Sequence, residues 1–575
     1  MIIKRILQKV FSPLPHREGV GESLFLFSFL LLFVSPASAQ DKVTLTGSIQ
    51  SDIMLPQNDS IIGAEKTEDL VTNTYVTLQL NSKYVDAGAR LEYLEHPMPG
   101  YEGDFKGWGV PHFYVKGRLG MAELTAGTFY EQFGSGFILR TYEERSLGID
   151  NSLLGGRLVL KPTDGVTVKL LSGKQRRYWS WNKSLVSGAD VEVSLDEWIP
   201  SLKKSNTRLM IGGSWVNRYE NNEEEIFVDP FHKVNFPKYV NAWDVRVSLN
   251  HGPWSVLAEY AQKGDDPSYA NGYIFRKGSV AMLSGSYSKK GLSILLQAKR
   301  SDNMSFKSTG NASKAIGVSS SIGHLLAFTQ DHTYTLAAKY PYATQVADGE
   351  WAYQAEVGYN FKRNTTLGGK YGMTVKMNYS LVKAIDRKFD DELPFNTLAG
   401  SMKYGGTDGY SSSFFKWGGQ TYYQDLNFQL TRKLSKDFKL FLMYMNQRYN
   451  KGKIENHGGM VHNDIFVADG KYQFTPKVAL RGELQYMEST DDDGNWLFGL
   501  LELSLVPHWM ITLSDEYRVN KEHVHYYMAQ VTFTTGAHRV QLGYGREIDG
   551  YNCSGGVCRY VPASKGLKLS YNYNF

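Results

Sequence analysis

Beyond residue 40 the chain has no apolar stretch approaching the roughly 20 residues that a membrane helix needs, so helical bundles of the membrane are excluded. Its 575 residues hold only two cysteines, too few for a disulfide framework or for a zinc cluster. A G-x-S-x-G elbow, an H-E-x-x-H pair and a phosphate-binding G-x-x-x-x-G-K-[ST] loop are all absent, and no catalytic residue can be named from the sequence. Charge of one sign is also missing. With 63 Lys and Arg against 58 Asp and Glu, the net charge of +5 gives no basic stripe for nucleic acid. Prolines are few, 18 in all.

Aromatics, by contrast, make up 13% of the chain, with 37 Tyr and 56 Gly, although the mean hydropathy is polar at −0.35. Soluble enzymes seldom combine these features. A membrane β-barrel does, because each strand alternates a lipid-facing apolar residue with a lumen-facing polar one while aromatic girdles mark both interfaces.

The start of the chain gives an address. Lys4, Arg5 and Lys9 precede the apolar run Leu24 to Val34, which ends at Ala37-Ser38-Ala39, the pattern of a cleaved signal peptide over residues 1–39. The mature chain then begins at Gln40; since this is not Cys, no lipid anchor is expected. In an exported protein, Cys553 and Cys558, separated by Ser-Gly-Gly-Val, are expected to pair. The rival reading, a metal pair, lacks a neighbouring His or carboxylate cluster.

Alternation of period two runs to the last residue. Leu567, Leu569, Tyr571, Tyr573 and Phe575 share one face, and Lys568, Ser570, Asn572 and Asn574 the other. Farther back, Tyr353, Ala355, Val357, Tyr359 and Phe361 oppose Gln354 and Glu356, and Leu480, Leu484 and Tyr486 oppose Arg481, Glu483 and Gln485. Charged residues on one face predict a wet lumen. Very short turns, near Asn81-Ser82, Lys289 to Gly291 and Thr534 to Gly536 among others and including a weak one at Gln330 to His332, alternate with long polar joins. The count predicts an all-β, single antiparallel transmembrane barrel of about 26 strands, within 24 to 28, over residues 40–575, with short periplasmic turns and long outer loops.

Among the joins, Glu131 to Ser152 is densest in charge and glycine. Arg140, Glu143, Glu144, Arg145 and the following Arg157 are the candidate constriction residues, since opposed charges on a loop folded into a lumen narrow it and set its selectivity. The competing reading is a solvated loop whose ion pairs are worth little. Lys174 to Trp181 reads as an interfacial belt of cations and aromatics. The acidic runs at Glu223, Asp390 and Asp491 lack the ligand spacing of a calcium loop and read as solvated charge, and no metal or cofactor is expected.

The terminal residues Leu569, Tyr571, Tyr573 and Phe575 resemble the insertion signal of outer-membrane barrels. With the signal peptide and the alternating strands, the mature chain looks like a porin-like barrel; the block Gly127 to Arg157 and the loop Cys553 to Arg559 are similar to those of an uncharacterised family of such proteins. That resemblance implies an outer-membrane location and, as partners, lipid, lipopolysaccharide and the barrel-assembly machinery, but no substrate. The expected function is passive passage of solutes through a polar lumen, with no enzymatic activity; the alternative is a loop-closed barrel serving as a surface scaffold or as part of a secretion or assembly complex.

Overall fold

A computed structural model describes residues 43–222, 224–310, 320–342, 349–390, 402–520, 523–554 and 557–575. The signal sequence expected at 1–39 lies outside them. The chain divides into two units, Met1–Thr44 and Leu45–Phe575, and the second holds the barrel.

Twenty-four antiparallel strands close on themselves. They are β1 (Thr44–Pro56), β2 (Val71–Asn81), β3 (Val85–Leu94), β4 (Gly107–Leu119), β5 (Ala122–Phe129), β6 (Leu153–Leu160), β7 (Val166–Arg177) and β8 (Leu185–Ser194). The middle set is β9 (Thr207–Tyr219), β10 (Tyr239–His251), β11 (Trp254–Lys263), β12 (Gly278–Lys289), β13 (Leu292–Asp302), β14 (Glu350–Phe361), β15 (Met373–Ile385) and β16 (Trp417–Lys433). The last are β17 (Phe438–Asn450), β18 (Met460–Thr475), β19 (Val478–Ser489), β20 (Trp496–Leu505), β21 (Trp509–Arg518), β22 (His525–Thr535), β23 (His538–Glu547) and β24 (Ser564–Asn574). Each pairs with its neighbours in sequence, and β24 pairs with β1 from Ser48↔Asn574 to Pro56↔Gly566. A two-residue strand, Ser180–Trp181, adds to the edge of β7.

Why these residues form strands is plain in β10. Val240, Ala242, Asp244 and Arg246 are buried towards the lumen, while Trp243, Val245, Val247 and Leu249 are exposed on the outside. Such an outer surface would be costly in water and is stable only in lipid, where closure also satisfies every strand's backbone groups. Aromatic pairs ring both ends: Trp254–Tyr287 and Trp509–Phe533, each with centroids 4.6 Å apart, at the short turns, and Tyr219–Tyr239 at 5.0 Å at the long loops. Seating the terminal ring requires glycine at 47, because a Cβ there would lie 2.5 Å from Phe575.

The barrel has two strands fewer than the 26 counted from sequence, still within the expected range. No hairpin turns at Gln330–His332: the chain leaves β13 at Asp302 and returns at Glu350, and the described parts between lie against inward-facing side chains.

Candidate functional site

Among the described residues, two segments fold into the lumen. The first joins β5 to β6. Its tip is a tight turn, with Phe133 N–H donating to Leu139 O and Gly136 N–H to Phe133 O, at 3.0 and 2.8 Å. Gly134 and Gly136 take φ of 51° and 93°, in the left-handed region that favours glycine, and a Cβ on Gly134 would come within 2.8 Å of Glu259. That close approach lets Ser135 donate to Glu259 of β11 through both its N–H, at 3.0 Å, and its hydroxyl, at 2.6 Å. Phe133, Phe137, Ile138 and Leu139 are fully buried in an apolar cluster with wall residues such as Val186, Val240 and Ile465.

The far end of this segment is held by charge. Asp150 sits between Arg90 of β3 and Arg176 of β7, with Arg176 Nη1 at 2.7 Å; Glu92 bridges the same two arginines at 2.6 and 2.7 Å. None of the four is more than 7% exposed. Arg90 also meets Glu143 at 2.8 Å.

The second segment joins β13 to β14. Arg218 of β9 donates to Lys307 O at 2.9 Å, and Gly310 N–H to Glu220 at 3.0 Å. The segment meets the first where Arg140 N–H donates to Ile322 O at 2.7 Å and His324 N–H to Gly136 O at 2.9 Å. It then runs along the opposite wall. His332 Nε2 lies 2.7 Å from Asp425 of β16, Leu336 N–H donates to Gln485 of β19 at 2.9 Å, and Lys339 reaches Glu516 of β21 at 2.9 Å. Tyr340 donates to Asp491 at 2.6 Å. Burial opposes ionisation of Asp491, yet the hydrogen bonds from Lys451 and Tyr340 hold its carboxyl below the usual carboxylate range.

A family described as "Family of unknown function (DUF6029)" matches residues 21–575. The chain belongs to the DUF6029 family. No curated protein matches this DUF6029 chain. Among solved structures it is similar to the P pilus usher PapC translocation pore, at 9% identity over 93% of this chain and 99% of that one, with a TM-score of 0.41. Others are the siderophore receptor PirA from Pseudomonas aeruginosa (10% identity, 92% and 80% covered, TM-score 0.40) and OccAB3 from Acinetobacter baumannii (8%, 94% and 100%, TM-score 0.36). The fold of the DUF6029 chain is set by its own strand register, closed where β24 meets β1.

The structure places the candidate residues of the first segment as follows. Arg140 lies over the Tyr142 ring, 4.8 Å from its centroid. Arg145 pairs with Glu143 at 2.7 Å, donates to Gln50 of β1 at 2.9 Å and covers Tyr75. Glu144 accepts from Ser146 N–H and hydroxyl, closing a short turn of its own chain. Arg157, on β6, pairs with Glu123 and Glu131. Arg145 and Arg157 thus meet carboxylates, whereas Arg140 packs on an aromatic ring. Arg176 was expected in an interfacial belt and is instead buried in the lumen wall, because alternation ends where β7 ends: Gln175 and Arg176 are both buried. Tyr178 and Trp179 likewise turn onto the loop at Glu102 and Phe105.

In the Gly550–Ser554 and Val557–Val561 ribbon the backbone sets Cys553 opposite Cys558; their side chains lie outside the described residues. Leu567, Leu569 and Phe575 are exposed on the outer face, where Tyr573 stacks on His538 with centroids 4.3 Å apart. Among the described residues no three His, Cys, Asp or Glu side chains are grouped to hold a metal ion. Sequence reasoning missed the second segment entirely; the one signal that could have found it was a join of nearly fifty residues without a Gly-Pro-type turn at its supposed midpoint.

Proposed function

We propose that the protein is exported, loses residues 1–39, and forms an outer-membrane barrel that passes solutes through its lumen under control of the second inserted segment, which holds the passage shut at rest. The observation that carries this reading is the uneven way in which the two segments are held. The first is fixed by buried ion pairs and fully buried rings. In the second, Asp331 to Thr333 lead into a turn closed by Ala338 N–H donating to Tyr334 O at 2.9 Å; His332, Tyr334 and Leu336 meet the wall, while Asp331, Thr333 and Thr335 stay exposed to the lumen. A stretch with one wetted face lies nearer the low-stability end of a fold than one buried on all sides, and opens before it.

In this reading Arg140, Glu143, Glu144, Arg145 and Arg157 shape the fixed constriction, and no chemical step is performed. Lipid and lipopolysaccharide cover the outer face, and the assembly machinery reads Leu569, Tyr571, Tyr573 and Phe575. Conductance in planar bilayers tests the gate. Ser301 pairs with Glu350, so deleting residues 304–348 leaves β13 and β14 joined as a hairpin. The deletion variant is expected to give steady current and the native chain only brief openings. Equal steady current from both overturns the gate. A folded deletion variant that never conducts supports instead a closed scaffold, the reading favoured by the apolar seal of Phe133, Phe137, Ile138 and Leu139.

The paired backbone positions of Cys553 and Cys558 put their Cα atoms within the span of a disulfide, since directly opposed antiparallel residues lie about 4.5–5.5 Å apart. The bridge closes so short a loop that it removes little chain entropy. Cys553→Ser is therefore expected to leave outer-membrane levels unchanged while making Cys558 reactive to maleimide; a fall in barrel levels would show that the ribbon does more.

A further inference from the structure

The wall from β16 to β21 meets the second segment with acceptors. Going round the barrel, Asp425 of β16, Asp469 of β18, Gln485 of β19 and Glu516 of β21 stand inward, with Asp491 on the loop after β19, and each accepts from, or pairs with, one group of the segment. The segment answers with an imidazole, a phenol, a main-chain N–H, an ammonium and a second phenol. Its rings are matched too: Tyr334 stacks on Phe441 with centroids 5.1 Å apart, and Tyr340 lies against Tyr449 at 5.3 Å.

Lys339 has the most specific seat. Its ammonium lies 2.9 Å from the Glu516 carboxylate and 3.6 Å from the centroid of the Trp496 ring. Trp496 is fully buried and Glu516 is 7% exposed. A carboxylate and an indole face together, screened from water, select an ammonium, because the ring quadrupole and the charge both act on it at low dielectric. Main-chain contacts flank this seat on either side: Leu336 N–H donates to Gln485, and Tyr340 O accepts from Gln447 of β17 at 3.0 Å.

We infer that this wall is a binding surface for a lysine-bearing oligopeptide, whose place the protein's own segment 330–342, turned at Tyr334 to Ala338, occupies while the barrel is shut. The inference rests on the gated reading above, since the surface is free only when the segment is displaced. Peptide is favoured over a polyamine because the wall uses both a main-chain donor and a main-chain carbonyl, and a polyamine offers no carbonyl. Competition between segment and ligand for one surface also supplies the coupling: a ligand shifts the closed state only by as much as it binds the open one more tightly.

The test uses the barrel lacking residues 304–348 in detergent and a fluorescent synthetic peptide of sequence 330–342, read by anisotropy. Saturable binding is expected, weakened about tenfold or more by Glu516→Gln in the barrel or by Gln at the lysine of the peptide, because each removes one partner of a buried charge pair. Equal binding of the lysine and glutamine peptides, equal binding of an acidic peptide, or equally good competition by spermidine would overturn the inference. Where the deletion does not assemble, the full chain carrying Lys339→Ala and Tyr340→Phe takes its place and is expected to bind peptide that the native chain does not; failure of that uptake overturns the inference as well. Bilayer current from the same preparations keeps the two readings apart: a barrel that conducts but ignores the peptide leaves the gate standing and removes the ligand.

Discussion

Replacing Asp150 with alanine is expected to free the first inserted segment from the lumen wall while the barrel stays assembled. Arg90 and Arg176 share Asp150 and Glu92, all four buried, and Glu143 adds to Arg90 only. Without Asp150 two guanidinium groups in a nearly dry site lean chiefly on one carboxylate. Breaking a buried pair by removing one partner costs about 3–5 kcal/mol, because the remaining charge is left uncompensated. The strands do not depend on this contact, so the loss falls on the segment. Amide hydrogen exchange around Tyr142 and Asn151, whose main chains are bonded to each other, should accelerate by about two to three orders of magnitude with strand amides unchanged. Adding Arg176→Met should restore part of the protection, since two apolar groups replace an orphaned cation. Unchanged exchange in Asp150→Ala would mean that the apolar tip alone holds the segment, and the ion pairs could then be dropped from the account of the constriction.

The fold was legible because a barrel strand has one simple constraint, apolar outside and anything that fits inside, and period-two alternation expresses it directly. The second segment was misread because a short turn was expected at Gln330 to His332, which made its flanks a hairpin of two strands. His332, Tyr334 and Leu336 alternate with Asp331, Thr333 and Thr335 as strand residues would, but they lead into a turn at Tyr334 to Ala338 with one side docked on the wall and the other wetted. Period two reports a chain with unlike sides and cannot tell a lipid-facing strand from an inserted loop. Apolar residues such as Ile322 and Phe328 deepened the error, since they face an apolar cluster inside the barrel, where polar side chains were expected. The inward face itself departs from the simple rule: Val186, Val240, Met445 and Ile465 look into the lumen because the two segments cover them. In the first segment, glycine and charge density located the residues but not their partners. Asp150 meets Arg90 sixty positions away, and Arg176 meets Glu92 across eighty-four, contacts that only the closed barrel creates.

Truncation after residue 563, which removes β24, is expected to abolish the assembled barrel altogether. This strand pairs with β23 from His538↔Tyr573 to Glu547↔Ser564 and with β1 from Ser48↔Asn574 to Pro56↔Gly566. Its loss opens two edges at once. In hydrocarbon each unpaired N–H or C=O costs several kcal/mol, so a run of such groups on both edges far exceeds the roughly 5–15 kcal/mol by which a folded domain is stable. Re-closure of β23 directly on β1 is no easy repair. Both are antiparallel to β24 and so run parallel to each other, and their seam would need the slanted bond pattern of a parallel pair in a barrel whose other seams are antiparallel. Phe575→Ala should be milder, because the main-chain bonds between Gly47 and Phe575, at 2.9 and 3.0 Å, survive it and only the ring over Gly47 is lost. The readouts are the amount of chain in the outer-membrane fraction and its heat-modifiable mobility on gels. A truncated chain present at native levels and still heat-modifiable would show that β1 and β23 do meet, and that closure tolerates a parallel seam.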